Sequence, residues 1–265
     1  MARRGDRGCV CPPKSAGVFA GHIHRREDAD VLKSLGTSYR ALVLGASGAL
    51  GSAFVEVLQA DAACSQVVGL SRSSQPAFRL EDEASMAAAV AALVAESQAP
   101  FHLIIDATGA LTIDGQGPEK HLGALNATQL VRAFEVNTIG PALLLKHFMP
   151  LLATEQRSIY AKLSARVGSI SDNRKGGWYS YRAAKAALNM VLQTAAIEAA
   201  RKRPQLVVAA MQPGTVASGL SAPFVPAKDC LTPAQSVAGL LNALDDLPAQ
   251  AVAHFVDYKG AAIPW

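Results

Sequence analysis

A chain of 265 residues, 50% of them hydrophobic and 17% charged, can bury one sizeable core and has an ordinary length for a single α/β domain. Its formal charge of +4 is concentrated at the start: residues 1–36 carry seven Lys or Arg against four acids, leaving 18 against 17 for the remainder, which excludes a basic stripe for nucleic acid. No run reaches the ~18 apolar residues of a membrane helix, there is no secretory apolar stretch, and cysteines at 9, 11, 64 and 230 form no disulfide framework, so a cytoplasmic protein without a membrane partner is expected.

Residues 1–38 combine Gly, Pro and Arg with two close pairs, Cys9/Cys11 and His22/His24. Such pairs are unlike the ligand spacing of structural zinc, and no hydrophobic period surrounds them. The segment reads as a basic, disordered extension, and no metal site is expected.

From residue 39 the pattern becomes regular. "YRALVLGASGALGSAFVEVLQ" is an apolar run, a glycine-rich turn and a helical pattern. "SQVVGLSR" is a second apolar run, followed by the weaker "FRL". "ASMAAAVAALVAE" predicts a helix and "FHLIIDATG" a buried strand ending in small residues. One long helical region is expected over 128–152, where "PALLLKHFMPLL" is interrupted by Lys146 and His147. "SIYAKLSA" is a strand, 179–201 a helix ended by Pro204, and "QLVVAAMQPG" a strand. "TPAQSVAGLLNAL" is a helix with Thr232 as its cap and Pro233 at its first position, and "AVAHFVDY" closes the series. Continuous apolar strands alternating with helices predict a doubly wound, Rossmann-type parallel sheet covered on both faces, in one domain over 39–265. Ligands of such sheets gather at the carboxyl ends of the strands.

"LGASGALG" follows a strand and opens a helix. Its glycines permit a tight turn and close backbone approach, and the helix N-terminus offers free N–H groups to a pyrophosphate. Gly45, Ser47, Gly48, Ala49, Leu50 and Gly51 are therefore candidate dinucleotide contacts. NAD-binding folds place an acid at the end of the second strand to hold the ribose 2′-hydroxyl. Here that strand ends "GLSRSS", with no Asp or Glu between Asp61 and Glu81. Ser71 and Arg72 offer a hydroxyl and a guanidinium suited to a 2′-phosphate, so NADP(H) is favoured over NAD(H).

Tyr181 and Lys185 are i and i+4 and share a helix face. A phenol near pKa ~10 exchanges protons poorly at neutral pH, and an adjacent ammonium is expected to lower that value. Beside a bound nicotinamide, such a pair makes a general acid for a carbonyl oxygen, and a serine hydroxyl can hold the same oxygen.

With "GASGALG", "DATG", "EVNTIGP", "KLSARVGSISDN", Tyr181 with Lys185, and "QPGTV" in this order, the chain resembles the short-chain dehydrogenase/reductase family over residues 39–265. The wording of "GSISDN", "GGWYSYRAAKAALN" and "DYKGAAIPW" is most similar to its C-factor-like branch. The resemblance implies Tyr181 as acid/base, with Lys185 lowering its pKa and holding the nicotinamide ribose. It implies Asn137 as the holder of a water in a proton relay. Ala107, Thr108 and Gly109 would line the adenosine side, and Pro213, Gly214, Thr215 and Val216 would hold the carboxamide. A homo-oligomer formed through the helices containing Asn137 and Tyr181 is also implied.

Three positions depart from the family pattern. Ala49 stands where a glycine is usual. "DATG" replaces Asn-Asn-Ala-Gly, and Asp106 is expected to be a satisfied strand-end acid. Many relatives carry a Ser-Ser pair whose second serine is catalytic, whereas this chain has Ser164-Ala165, so Ser164 is the candidate and Ser169 the other hydroxyl in reach. Trp178 and Tyr179 are candidate pocket or packing aromatics. The loop at 221–230 points to an uncharged or aromatic ligand. The expected function is NADPH-dependent interconversion of a carbonyl and a secondary alcohol. The alternative is a non-catalytic NADP-binding signalling or scaffold protein on the same fold.

Overall fold

The apolar runs become six parallel strands in the computed structural model, which describes residues 31–219, 222 and 225–265. They are β1 (Tyr39–Leu44), β2 (Cys64–Leu70), β3 (Leu103–Asp106), β4 (Ser158–Leu163), β5 (Leu206–Gln212) and β6 (His254–Asp257), in the order β2-β1-β3-β4-β5-β6. Every adjacent pair is parallel. All residues of β3 and β4 are buried, as expected of strands covered on both faces.

Alternation along the strands sorts the core into two layers. Ala41, Val43, Ile159 and Ala161 face one layer with Phe54 and Leu58 of α1 (Ala49–Gln59) and Leu240 and Leu244 of α6 (Pro233–Asp246). Leu42, Leu44 and Tyr160 face the other, with Met86 of α2 (Glu83–Glu96), Phe148 of α4 (Gly140–Phe148) and Leu188 of α5 (Tyr179–Ala200). Successive side chains of an extended strand point to opposite faces, so each strand feeds both layers. The order of winding reverses between β1 and β3, which opens a crevice at their carboxyl ends.

The structure departs from the sequence expectation in three places. The extension expected over 1–38 is already packed from residue 31: Leu32 and Leu35 are buried, Val31 N–H donates to Asp61 and Ser34 N–H to Asp245. An apolar pair anchored at both ends belongs to the domain. The paired Cys9/Cys11 and His22/His24 lie outside the described residues. Second, the helical region at 128–152 is interrupted. α3 (Ala127–Phe134) gives way to a π-turn at Glu135–Ile139 before α4 resumes. "FRL" forms no strand and contributes only an isolated bridge between Arg79 and Asp82. Among the described residues, no helix is long and apolar enough to cross a membrane.

Candidate active site

The glycine turn between β1 and α1 is shaped by close contact. A Cβ at Gly51 would lie 2.1 Å from the Gly45 carbonyl oxygen, so no side chain fits there. Gly45 itself has φ +85°, the left-handed region that favours glycine. Gly48 is the N-cap of α1 and supplies no capping side chain. Ser47, Gly48 and Ala49 are exposed, leaving the first N–H groups of α1 open toward an anion. A glycine turn packed this closely against the start of α1, ahead of an uncapped helix N-terminus, fits a dinucleotide pyrophosphate. Ala49 causes no crowding in this arrangement.

At the end of β2, Ser71 is buried and tied into a serine cluster. Its hydroxyl pairs with the Ser73 hydroxyl at 3.2 Å, and its N–H donates to the Ser74 hydroxyl at 2.8 Å. The turn is thus held by its own side chains. Arg72 next to it is exposed, and its guanidinium makes no hydrogen bond or ion pair among the described residues.

Tyr181 and Lys185 both lie buried on one face of α5, with the Lys185 Nζ 5.7 Å from the centre of the Tyr181 ring. The N-terminus of α5 has an unusual construction. Its N-cap is Trp178, left-handed at φ +54° and without a side-chain cap bond. Glu119 substitutes from the loop after β3: its Oε2 accepts from Ser180 N–H at 3.1 Å and from the Ser180 hydroxyl at 2.8 Å. A carboxylate there satisfies orphan donors and favours the positive helix end. At Gly168, a Cβ would come within 2.9 Å of the Lys185 backbone carbon, so only glycine lets the 166–168 turn press against this helix.

Asn137 sits fully buried in the π-turn, a device that re-aims side chains and recurs at functional sites. Its Nδ2 donates to the Ala110 carbonyl at 2.9 Å, and its Oδ1 accepts from Ala110 N–H at 3.1 Å. A Cβ at Gly109 would stand 3.0 Å from that Oδ1 and 3.5 Å from Lys185 Nζ. Asn137, Gly109 and Lys185 therefore meet at one point.

The electrostatics of this point differ from the sequence expectation. Burial raises the Tyr181 phenol above its ordinary value, and Lys185 exerts no resolved pull on it. Lys185 itself is lowered to about 7, first by burial and then by the charge of Lys162, with Asp106 opposing. In a dry site the charged form of either group is costly, and neither charge is offset by a close partner. Among the described residues, Lys185 Nζ donates only to the Leu163 carbonyl, at 3.2 Å.

Lys162 was not legible as a site residue. Its Nζ donates to Asp106 Oδ1 at 2.7 Å, to the Thr108 carbonyl at 2.8 Å and to Thr108 Oγ1 at 2.9 Å. Asp106 Oδ1 also accepts from Thr108 N–H and hydroxyl. This buried ion pair clamps the Thr108–Gly109 turn against Asn137 and Lys185. The sequence signal was a lysine inside the apolar strand "SIYAKLSA", which needs a buried partner.

Neither serine candidate presents a free hydroxyl proton. Ser164 lines the cleft, but its hydroxyl donates to Asn189 Oδ1 at 2.6 Å. The Ser169 hydroxyl donates to the Pro264 carbonyl and accepts from Asp172 N–H. Ala165 lines the cleft with no hydroxyl to offer.

These elements surround a cleft of about 880 Å³. Of the residues read from the sequence, Leu50, Ala107, Thr108, Gly109, Ser164, Tyr181, Lys185, Pro213, Gly214, Thr215 and Val216 line it. Asn137 borders it through Gly109. Gly45, Ser47, Gly48, Ala49 and Gly51, with Ser71 and Arg72, lie outside its wall at the ends of β1 and β2. Gly214 is held at φ +79°, and the Pro213 carbonyl accepts from the Ser236 hydroxyl at 2.6 Å. Trp178 lines the cleft and meets Tyr181 edge-on, whereas Tyr179 is exposed outside it. Trp265 stacks on Phe255 of its own chain at 5.1 Å. No metal-binding cluster occurs among the described residues.

Residues 39–229 match the short chain dehydrogenase family model. The chain is 29% identical over 177 residues to a 1-hydroxy-2-glutathionyl-2-methyl-3-butene dehydrogenase of a Rhodococcus species, covering 67% of this chain and 74% of the relative. It is 32% identical over 146 residues to the C-signal protein of Myxococcus xanthus, covering 54% of this chain and 83% of the relative. Among solved structures, NADPH-bound carbonyl reductase from chicken fatty liver aligns with a TM-score of 0.76 at 22% identity, over 86% of this chain and 95% of the other. An NADP-bound dehydrogenase/reductase from Burkholderia multivorans aligns at 0.72 and 23% identity, over 86% and 100%.

Proposed function

The chain belongs to the short chain dehydrogenase family of oxidoreductases, and we propose that within it the protein is an NADPH-dependent reductase interconverting a carbonyl and a secondary alcohol, with Tyr181 as acid/base. The observation that carries this reading is the meeting of Tyr181, Lys185, Asn137 and Gly109 at the floor of one cleft.

A bound nicotinamide supplies the hydride in reduction and accepts it in oxidation. The rest of the chemistry belongs to the chain. Burial keeps the Tyr181 phenol protonated, the form required to donate to the oxygen of an incoming carbonyl. Lys185, near neutrality, can take up or release a proton behind it. Asn137 and the Lys162–Asp106 clamp fix the turn that positions Lys185. Pro213 to Val216 wall the cleft on the β5 side and would hold the carboxamide. The uncapped start of α1 would hold the pyrophosphate, and Arg72, with no partner among the described residues, would pair with a 2′-phosphate. The reading of NADP(H) over NAD(H) rests on that arginine and on the missing acid.

Ser164 has a smaller role here than a catalytic serine would have, because its proton is held by Asn189. Tyr181 is the principal donor to the substrate oxygen. The non-catalytic scaffold reading lacks comparable support, since a scaffold has no need of a buried tyrosine, lysine and asparagine meeting at a cleft floor. Self-association through α3 and α5 is part of the proposal, supported by the exposed apolar side chains of Val131, Met190 and Ile197. NADPH oxidation across a panel of ketones and aldehydes tests the function. Turnover with at least one carbonyl is expected, and tight NADPH binding with none reduced would favour the scaffold.

A further inference from the structure

We propose that the outer wall of the cleft binds an anionic group, so that the substrate is a carbonyl compound carrying a carboxylate or comparable anion rather than a neutral ketone. The proposal rests on the reductase reading above and names its substrate class.

The wall is built by the segment between β4 and α5. Arg166, Asp172, Arg174 and Lys175 from this segment, with Arg182 from the first turn of α5, all line the cleft. Arg166 is neutralised, with Asp257 at 3.1 Å and Asp172 at 3.6 Å. The other three cations have no carboxylate within 4.0 Å among the described residues, and no acid occurs in the sequence between Asp172 and Glu198.

Each unpaired cation has a distinct position. Arg182 is half-buried, and its three nitrogens donate to the carbonyls of Gly177, Gly176 and Val167. Carbonyls satisfy the N–H groups but leave the charge uncompensated, and burial pulls the guanidinium below its ordinary value. This arginine stitches the loop into place and puts a net positive charge in a partly desolvated wall. Arg174 uses one nitrogen on the carbonyls of Ser171 and Asn173, which leaves its Nε and Nη2 available. Lys175 is exposed and makes no hydrogen bond among the described residues.

These charges are not needed for the cofactor. The start of α1 and Arg72 follow β1 and β2, whereas the 166–182 segment follows β4, two strands from β1 in the sheet. Leu111, Val167 and Trp178 line the same cleft. A substrate with an apolar body, a carbonyl at Tyr181 and an anion toward Arg174 and Lys175 matches that distribution. The sequence expectation of an uncharged ligand came from the loop at 221–230, where residues 221, 223 and 224 lie outside the described ones.

The test compares benzoylformate, levulinate and acetoacetate with their methyl esters as NADPH-dependent substrates. The acids are expected to show KM values lower than their esters by roughly tenfold or more, the order of one charge-assisted hydrogen bond. The acid KM should rise with salt. In an Arg174→Gln/Lys175→Gln double variant, the acid-to-ester KM ratio should collapse toward one. Equal KM for acids and esters in the wild type, or a ratio unchanged in the variant, overturns the proposal. Quenching of Trp178 fluorescence by the same acids and esters, in the presence of NADP, reads binding without turnover. Absence of acid preference there contradicts the anion site. Preference for the acids without any reduction upholds the anion site and rejects the reductase reading.

Discussion

Lys162 Nζ and Asp106 Oδ1 stand 2.7 Å apart between neighbouring strands, with side-chain exposures of 1% and 0%. An ion pair this dry carries a large desolvation cost, which only close contact and further hydrogen bonds can offset. Thr108 provides those bonds from its hydroxyl and backbone. Lys162→Met leaves the Asp106 charge buried and alone, and should destabilise the fold by about 3–5 kcal/mol in urea unfolding. Adding Asp106→Asn should recover most of that loss, because the amide oxygen still accepts from Thr108. A double variant no more stable than Lys162→Met would show that the pair is not the source of the effect.

Lys185 titrates far from its usual 10.5, at about 7. Between these values the folded chain binds fewer protons than the unfolded chain, so this group makes stability rise with pH across that window. The raised Tyr181 value acts with the opposite sign, and only above its ordinary 10.0. Lys185→Met removes the buried ammonium. Its stability relative to wild type should be greatest below the folded value and shrink as pH climbs toward 10.5, while activity is lost. Urea unfolding without cofactor across that range measures it, and a difference independent of pH refutes the assignment.

Ser164 and Ala165 make opposite predictions. With the Ser164 proton donated to Asn189, Ser164→Ala should lower kcat by about tenfold or less, well short of the ~10²–10⁴ attached to a general acid. Ala165→Ser places a hydroxyl on the cleft wall and should increase kcat. Loss of activity in Ala165→Ser, with the fold intact, would argue that the alanine is required by the substrate.

Arg72 separates the two cofactors. Arg72→Ala should weaken NADPH binding by roughly ten- to a hundredfold, the value of one charge-assisted pair, and leave NADH binding nearly as before. Equal losses for both cofactors would place the arginine elsewhere in recognition.

How far the sequence could be read depended on the range of each signal. The strands were legible because β3 and β4 are covered on both faces and must be uniformly apolar, and the glycine turn was legible because Gly51 tolerates no side chain. Tyr181 and Lys185 were legible as an i, i+4 pair. Lys162 paired with Asp106, and Glu119 capping α5, were not, because each joins residues 56 or more positions apart and leaves no local period. The π-turn at Asn137 was hidden for a related reason. One residue added to a helical turn barely disturbs the apolar pattern of 128–152. The packing of Leu32 and Leu35 was not legible because Val31, Leu32 and Leu35 are three apolar positions, too few to form a period.

The most direct test of the mechanism is kcat for carbonyl reduction in Tyr181→Phe, measured beside NADPH affinity. Removing one hydroxyl that makes no hydrogen bond among the described residues should leave the fold and the NADPH affinity in place. In this variant kcat should fall by about 10²–10⁴ with that affinity retained. Undiminished turnover in the variant would contradict Tyr181 as the acid/base.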